Sequence, residues 1–224
     1  KKISPQFIMA LIDQWKNKGF LPNEVKQDKK NLFEGQILKV YKIYQNKIRD
    51  LNACDFGDLI LYCVKLFEKN QDIRNIYSNN FKYILVDEYQ DTNFIQNKWL
   101  NLIVNKNKNI CCVGDDDQSI YSWRGAEIKN FLTFDKIYKN CKVFKLEQNY
   151  RSTKNILETA SKLISNNSSR VGKKLWSSAN QGELVKLNCY RTGKEEAQGV
   201  CDIIEQKIKK KYSLNNVSIL VRAI

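Results

Sequence analysis

The sequence contains no histidine among its 224 residues, and this absence restricts the chemistry that the chain can perform. It excludes the Ser/His and Cys/His arrangements of nucleophilic catalysis. The seven cysteines include no C-x-x-C pair, so a zinc site and a disulfide framework are both poor interpretations. Cys63, Cys111, Cys112 and Cys201 lie inside apolar runs, so we expect buried, reduced thiols in a cytoplasmic protein.

Long apolar segments are also absent. No run approaches the roughly 20 residues of a membrane span, and the N-terminal KKISPQF lacks the apolar core of a secretory signal. We therefore expect no membrane association. The sequence starts at Lys1 without a methionine and stops inside VSILVRAI, a predicted strand, so we expect it to be a piece of a longer protein.

One sign of charge dominates, with 38 basic against 24 acidic residues and a net charge of +14. Such a balance favours a polyanionic partner such as nucleic acid. The alternative is a compositional cause, because most of the basic residues are lysine and the sequence is rich in Asn and Ile, as an A·T-biased genome would produce. Charge alone does not separate these two explanations.

The pattern of apolar residues changes along the chain from helical to mixed. After the helix-start signal Ser4-Pro5, apolar residues repeat at helical spacing over about 7–15, 33–48 and 56–67. Short apolar strands then alternate with helices, which predicts an α/β fold with a parallel sheet. The predicted strands are FKYILVDE, NICCVGD, KVFKL (142–146), ELVKLNCY and VSILVR, and the predicted helices lie near 95–103, 153–166 and 195–210.

Two adjacent acids, Asp87 and Glu88, end the first predicted strand in ILVDEYQDTN. Ligands of parallel α/β sheets bind at the carboxyl ends of the strands. There an Asp is suited to hold Mg²⁺, and a neighbouring Glu is suited to activate a water for attack on a γ-phosphate. The alternative is a solvated acidic turn after a buried strand.

A second motif, VGDDDQSIYSWRGA at 113–126, follows the next predicted strand. Gln118 is a neutral side chain able to hydrogen-bond a γ-phosphate. Tyr121 and Trp123 beside Arg124 suit the stacking of single-stranded bases next to a cation. The alternative is that both aromatic residues belong to the core.

A third motif, LEQNYRST at 146–153, lies between a predicted strand and a helix. Tyr150 could stack on a flat base, and Arg151 could bind a phosphate through its fork-shaped guanidinium. The alternative is a helix N-cap by Ser152 with an incidental Tyr-Arg before it.

Together with DFGDL at 55–59, these motifs closely resemble the UvrD/Rep/PcrA family of superfamily 1 DNA helicases, in the same order and with the same spacing. The resemblance covers essentially the whole chain. It implies RecA-like P-loop NTPase sheets with a helical accessory subdomain. Residues 1–54 would be part of the accessory subdomain, 55–145 the C-terminal part of the first RecA-like domain, and 146–224 the N-terminal part of the second.

The resemblance also implies roles for single residues. Asp87 would hold Mg²⁺, Glu88 would be the catalytic base, and Gln118 would contact the γ-phosphate of ATP. Tyr121, Trp123 and Arg124 would bind single-stranded DNA. Tyr150 would stack on adenine, and Arg151 would stabilise charge on the transferring phosphoryl group. The whole protein would be an ATP-dependent 3′–5′ helicase acting on single strands and duplex junctions in repair or replication, with repair proteins as candidate partners.

The phosphate-binding loop G-x-x-x-x-G-K-[ST] is missing, and Gly172-Lys173-Lys174 and Gly193-Lys194 do not match it. In the family this loop lies upstream, so we expect this stretch alone to be inactive and to bind ATP poorly. Two other functions stay open: a non-catalytic single-stranded DNA-binding remnant of a truncated gene, and the motor part of a helicase–nuclease subunit.

Overall fold

Helices form most of the regular structure in the computed structural model, which describes residues 3–26, 32–104, 109–168 and 170–221. In chain order they are α1 (Pro5–Asn17), α2 (Leu32–Asp50), α3 (Phe56–Lys69), α4 (Gln71–Asn80), α5 (Phe94–Ile103), α6 (Ile128–Leu132), α7 (Phe134–Ile137), α8 (Lys154–Ile164) and α9 (Gly193–Lys209). The predicted helices are confirmed, whereas α4, α6 and α7 were not predicted. No helix in the described ranges is both long enough and apolar enough to cross a membrane.

The chain divides into two compact units. Unit 1 comprises Lys1–Glu147 and Ile164–Lys174, and unit 2 comprises Gln148–Leu163 and Leu175–Ile224. The three-part division expected from the sequence stays a prediction.

Unit 1 holds the sheet of the described residues, a parallel pair of β1 (Ile84–Val86) and β2 (Ile110–Cys112). Its inner face packs on a cluster that includes Phe67 of α3 and Leu100 of α5. The other face, with Leu85 and Cys111, is exposed, so these strands are only half buried. A predicted parallel sheet is confirmed in this small form.

Three of the predicted strands are wrong: 142–146, ELVKLNCY and VSILVR form no strand within the described residues, and Arg222 lies outside them. Val143, Phe144 and Leu146 are all exposed. An apolar run predicts burial, but a strand needs a second strand to accept and donate its backbone hydrogen bonds. A helix satisfies its own backbone, which is why the helix predictions succeeded.

The expectation of buried thiols is also wrong. Every cysteine is free, and none is buried: Cys63 and Cys201 lie on exposed positions of helices, and Cys111 on the open face of the sheet. An apolar neighbourhood in the sequence does not tell which face of an element a side chain occupies.

The motif DFGDL begins α3 and holds a buried ion pair. Asp55 and Asp58 form a reciprocal capping box at the helix start. The fully buried Lys16 of α1 lies 2.6 Å from the Asp55 carboxylate and 2.8 Å from that of Asp58. Gly57 leaves room for the lysine stem, because a Cβ there would lie 2.9 Å from Lys16 Cδ. The motif therefore fixes α1 onto α3.

Further side chains complete this polar cluster. The amide of Gln45 donates to both oxygens of Asp58 at 2.9 and 3.0 Å, and the Tyr44 hydroxyl donates to Asp55 at 2.9 Å. Burial alone would raise the pKa of Asp55, but hydrogen bonds from Lys16, the Asp58 backbone and Tyr44 hold it below its ordinary value. Burial raises the pKa of Tyr44 to about 12.

Candidate nucleotide and nucleic-acid sites

The acid pair lies where β1 ends. The loops that follow β1 and β2 are tied together, because Val113 N–H donates to Val86 at 2.8 Å and Tyr89 N–H donates to Val113 at 3.0 Å. Asp87 and Glu88 are both exposed. This exposure agrees with the alternative of a solvated turn and does not by itself indicate a ligand site.

Glu88 has an unusual backbone conformation for a residue with a side chain. Its φ of 49° and ψ of 40° place it in the left-handed region, which costs about 1–2 kcal/mol for such a residue. Its N–H donates to Asp87 Oδ1 at 2.9 Å. The Glu88 carboxylate instead accepts from the Gln90 amide at 2.7 Å, so the two adjacent acids have different partners. Strained conformations of this kind cluster at functional sites.

The loop after β2 carries three acids, Asp115, Asp116 and Asp117, whose oxygens lie within 4.8 Å of one another. Gln118 is exposed, and its amide donates to Asp115 Oδ2 at 2.7 Å. Burial alone would raise the pKa of Asp115, but hydrogen bonds from Lys173 and Gln118 hold it below its ordinary value.

Two cations of unit 1 form ion pairs with two of these three acids. Arg170 binds Asp117 through two parallel hydrogen bonds of 2.9 and 2.5 Å, and Lys173 contacts Asp115 and lies 3.5 Å from Asp117. Val171 N–H donates to Asp116 at 2.7 Å. The segment 170–173 therefore acts as an anchor for this acidic loop, because cations bind Asp115 and Asp117 and a backbone N–H binds Asp116.

The candidate DNA-binding residues form one exposed cluster after this loop. The rings of Tyr121 and Trp123 lie 6.4 Å apart, and the Arg124 guanidinium lies 5.4 Å from the first ring and 4.7 Å from the second. Trp123 is 72% exposed and Tyr121 is 37% exposed. The alternative that these are core aromatics is therefore wrong for Trp123.

A groove of about 1060 Å³ runs between this cluster and α1. Polar side chains line it from both sides, among them Gln14, Asn17 and Lys18 of the α1 region and Gln96 of α5. Asn17 also accepts a hydrogen bond of 3.1 Å from Asn93. The groove does not include Asp87, Glu88 or Gln118, so the aromatic cluster faces a separate surface from the acid pair.

Tyr150 and Arg151 belong to unit 2. Tyr150 is 83% exposed, and its hydroxyl donates to Gln148 at 2.7 Å. The backbone N–H of Arg151 donates to Asn149 at 3.1 Å. Helix α8 begins at Lys154, so Thr153 and not Ser152 is the residue directly before it.

Sequence reasoning missed Gln90, Arg170 and Lys173 as parts of this region. Gln90 is 1% exposed and hydrogen-bonds Glu88. The sequence shows it only as one polar residue after the acid pair. Arg170 and Lys173 lie more than 50 residues from the acids they bind, and no local pattern connects such distant residues.

Comparison with known proteins covers the whole chain. The model of the UvrD/REP helicase N-terminal domain matches residues 1–139, and that of the UvrD-like helicase C-terminal domain matches residues 144–223. A probable DNA helicase II homolog of Rickettsia felis is 45% identical over 100% of this chain and 34% of its own length.

Two staphylococcal relatives agree with this. The ATP-dependent DNA helicases PcrA of Staphylococcus epidermidis and Staphylococcus aureus are each 41% identical, over 95% and 99% of this chain and 30% of their own lengths. The chain thus spans about a third of the length of the curated relatives that it matches. On these matches, the chain belongs to the UvrD/REP family of DNA helicases.

Proposed function

We propose that the intact protein is an ATP-dependent DNA helicase that moves 3′ to 5′ along single-stranded DNA and acts at duplex junctions. The observation that carries this proposal is the joined pair of loops after β1 and β2, in which Glu88 and Gln118 are linked through Gln90 and Asp115. The names of the relatives support the same activity. Repair proteins are the proposed partners.

The residues present fit a magnesium–nucleotide ligand. Asp87 is exposed and offers hard carboxylate oxygen atoms, one of which accepts the Glu88 N–H. Mg²⁺, when bound, would neutralise charge on the phosphate oxygens. In this proposal Asp87 holds the ion, Tyr150 stacks on adenine and Arg151 binds phosphate.

Glu88 acts as the base. Its carboxylate takes a proton from water while the water oxygen bonds to the γ-phosphorus and the bond to the β–γ bridging oxygen breaks. The neutral amide of Gln118 donates a hydrogen bond to the γ-phosphate and leaves the charge of the phosphate unchanged. The Glu88→Gln variant of the intact protein should lose ATP hydrolysis and still bind nucleotide, in a steady-state hydrolysis assay with a parallel nucleotide-binding titration. Hydrolysis at an undiminished rate would refute the base assignment.

The aromatic cluster provides the DNA surface of the proposal. Trp123→Ala should weaken binding of a single-stranded oligonucleotide by about 1–3 kcal/mol, because a stacking platform is lost. Fluorescence anisotropy at fixed salt measures this change. Phe144→Ala is a control, since Phe144 is 81% exposed but lies outside the cluster. Equal affinity of the Trp123 variant and the parent protein would remove Trp123 from the DNA surface.

A non-catalytic single-stranded DNA-binding protein is the second candidate, and the exposed Trp123 with its groove suits it equally well. The same assays separate the two candidates. DNA binding without ATP hydrolysis in the intact parent protein would select the binding protein, whereas hydrolysis stimulated by single strands would select the helicase.

A further inference from the structure

Gln90 is a buried neutral amide whose two polar atoms are both used. It is 1% exposed and lies in the short 3₁₀ turn that follows Glu88. Its Nε2 donates to Glu88 Oε2 at 2.7 Å, and its Oε1 accepts from the Asp115 N–H at 3.0 Å. Because a buried amide is costly without partners, both contacts stabilise this placement.

The hydrogen bonds continue beyond Asp115 to the other candidate phosphate contact. Asp115 Oδ2 accepts from the Gln118 amide at 2.7 Å, and Asp115 Oδ1 accepts from the Asp117 N–H at 3.0 Å. A chain of hydrogen bonds therefore runs from the Glu88 carboxylate through Gln90 and Asp115 to the Gln118 amide. Lys173 contacts the Asp115 carboxylate and so holds this intermediate member of the chain in place.

The partners determine the orientation of the Gln90 amide. If its oxygen and nitrogen were exchanged, an oxygen acceptor would face the Glu88 carboxylate and an NH₂ donor would face the Asp115 N–H. Both contacts would then be repulsive. The residue before Asp115 makes room for this amide, because a Cβ on Gly114 would lie 2.6 Å from Gln90 Oε1.

We propose that Gln90 is a positioning residue that couples the carboxylate of Glu88 to the amide of Gln118. The inference rests on the proposed function, in which these two groups act on the γ-phosphate and its attacking water. Because one hydrogen-bond chain joins them, a displacement of Gln118 by bound phosphate moves Glu88 through Gln90. Gln90 is buried, so in this proposal it acts through Glu88 and Gln118 and not on the nucleotide.

The test uses the intact protein with saturating single-stranded DNA. Gln90→Met keeps the length of the side chain and removes its hydrogen bonds to Glu88, Asp115 and Asp91. Gln90→Glu keeps an acceptor for the Asp115 N–H but places a second carboxyl group beside that of Glu88, and the two share a proton. We expect kcat for ATP hydrolysis to fall on the order of 10²-fold in both variants, because the base is misplaced in the first and partly protonated in the second. The KM for ATP should stay within about twofold, since ground-state binding is unchanged.

A purely structural role of Gln90 would give a different pattern of kcat values. Two further variants test for such a role. In the Gln90→Met/Gln118→Ala double variant, kcat should be no more than about twofold below that of Gln118→Ala, because residues acting through one chain are not additive. Gln45→Met is the matched control. Gln45 is also buried, and its amide donates to the Asp58 carboxylate, which is not part of the hydrogen-bond chain of Gln90. It should lower the melting temperature and leave kcat within about twofold.

Three outcomes overturn the inference. Wild-type kcat in Gln90→Met shows that the donor to Glu88 is not needed, and losses that multiply in the double variant show independent roles. A loss of kcat in Gln45→Met as large as that in Gln90→Met assigns the effect to stability. An intact parent protein that does not hydrolyse ATP instead refutes the proposed function and this inference with it, so the two failures are distinguishable.

Discussion

Unit 1 and unit 2 use their apolar residues differently. Unit 1 has three buried clusters, centred on α1 with α2, on α3 with α5, and beneath the sheet. Among the described residues of unit 2, Leu157 is the one buried apolar side chain, while Leu187 and Leu220 are 90% and 94% exposed. Both units contain long helices, so secondary structure alone does not produce a core.

Helix α9 of unit 2 shows how little tertiary contact a helix needs. None of its residues is buried. Thr192 caps its N-terminus by accepting the Glu195 N–H at 3.2 Å. Glu195 and Glu196 occupy the first turn and Lys207 and Lys209 the last, where they complement the helix dipole. Local interactions therefore form helices in both units, and only packing distinguishes the units.

We expect the largest effect when the buried ion pair of unit 1 is broken. Lys16→Met should lower the free energy of opening of α1 and α3 by about 3–5 kcal/mol, because it leaves the buried Asp58 and the partly buried Asp55 without a cation. Hydrogen exchange of both helices under increasing denaturant measures it. Lys65→Met is the control, since Lys65 pairs at 2.7 Å with the more exposed Glu24, and about 1 kcal/mol or less is expected. Equal losses in the two variants would contradict this account.

A leucine in each unit compares packing directly. Leu61 is fully buried in α3. Leu61→Ala should lower the free energy of unfolding by about 2–5 kcal/mol, because a cavity remains. Leu187→Ala in unit 2 should change the free energy of unfolding by about 0.5 kcal/mol or less, because this side chain is already exposed. Denaturant unfolding of the two variants provides the comparison. A large loss for Leu187→Ala would mean that its side chain is covered in the intact protein.

The smallest effect should be the same in both units. Ser4 caps α1 and Thr192 caps α9, each accepting a backbone N–H at 3.2 Å. Replacing either hydroxyl residue by alanine should destabilise its helix by about 1 kcal/mol, because a cap is a local interaction that does not depend on the core. Hydrogen exchange of the first turn of each helix measures the change. Losses that differ severalfold would show that tertiary contacts contribute to one of the caps.

The site shows the same difference between features set by neighbouring residues and features set by residues distant in the sequence. Asp87, Glu88, Gln118, Tyr121 and Trp123 were predicted because each belongs to a short motif with a recognisable chemical combination. The exposure of Trp123 agrees with its predicted role in DNA binding, although the assigned roles themselves stay predictions. Gln90 was missed because its importance depends on Asp115, 25 residues away.

The sequence by itself determined helices α1, α2, α3, α5, α8 and α9, the parallel pair of strands β1 and β2, the order of motifs and the family. These features are encoded within a few residues of one another, through helical spacing, caps and adjacent functional groups. Only the tertiary structure decided that three predicted strands do not form within the described residues, that Lys16 is buried between two acids, and that Arg170 and Lys173 form ion pairs with the acidic loop before Gln118. Strand pairing and charge pairing join residues distant in sequence, so their outcome depends on which partners folding brings within hydrogen-bonding distance.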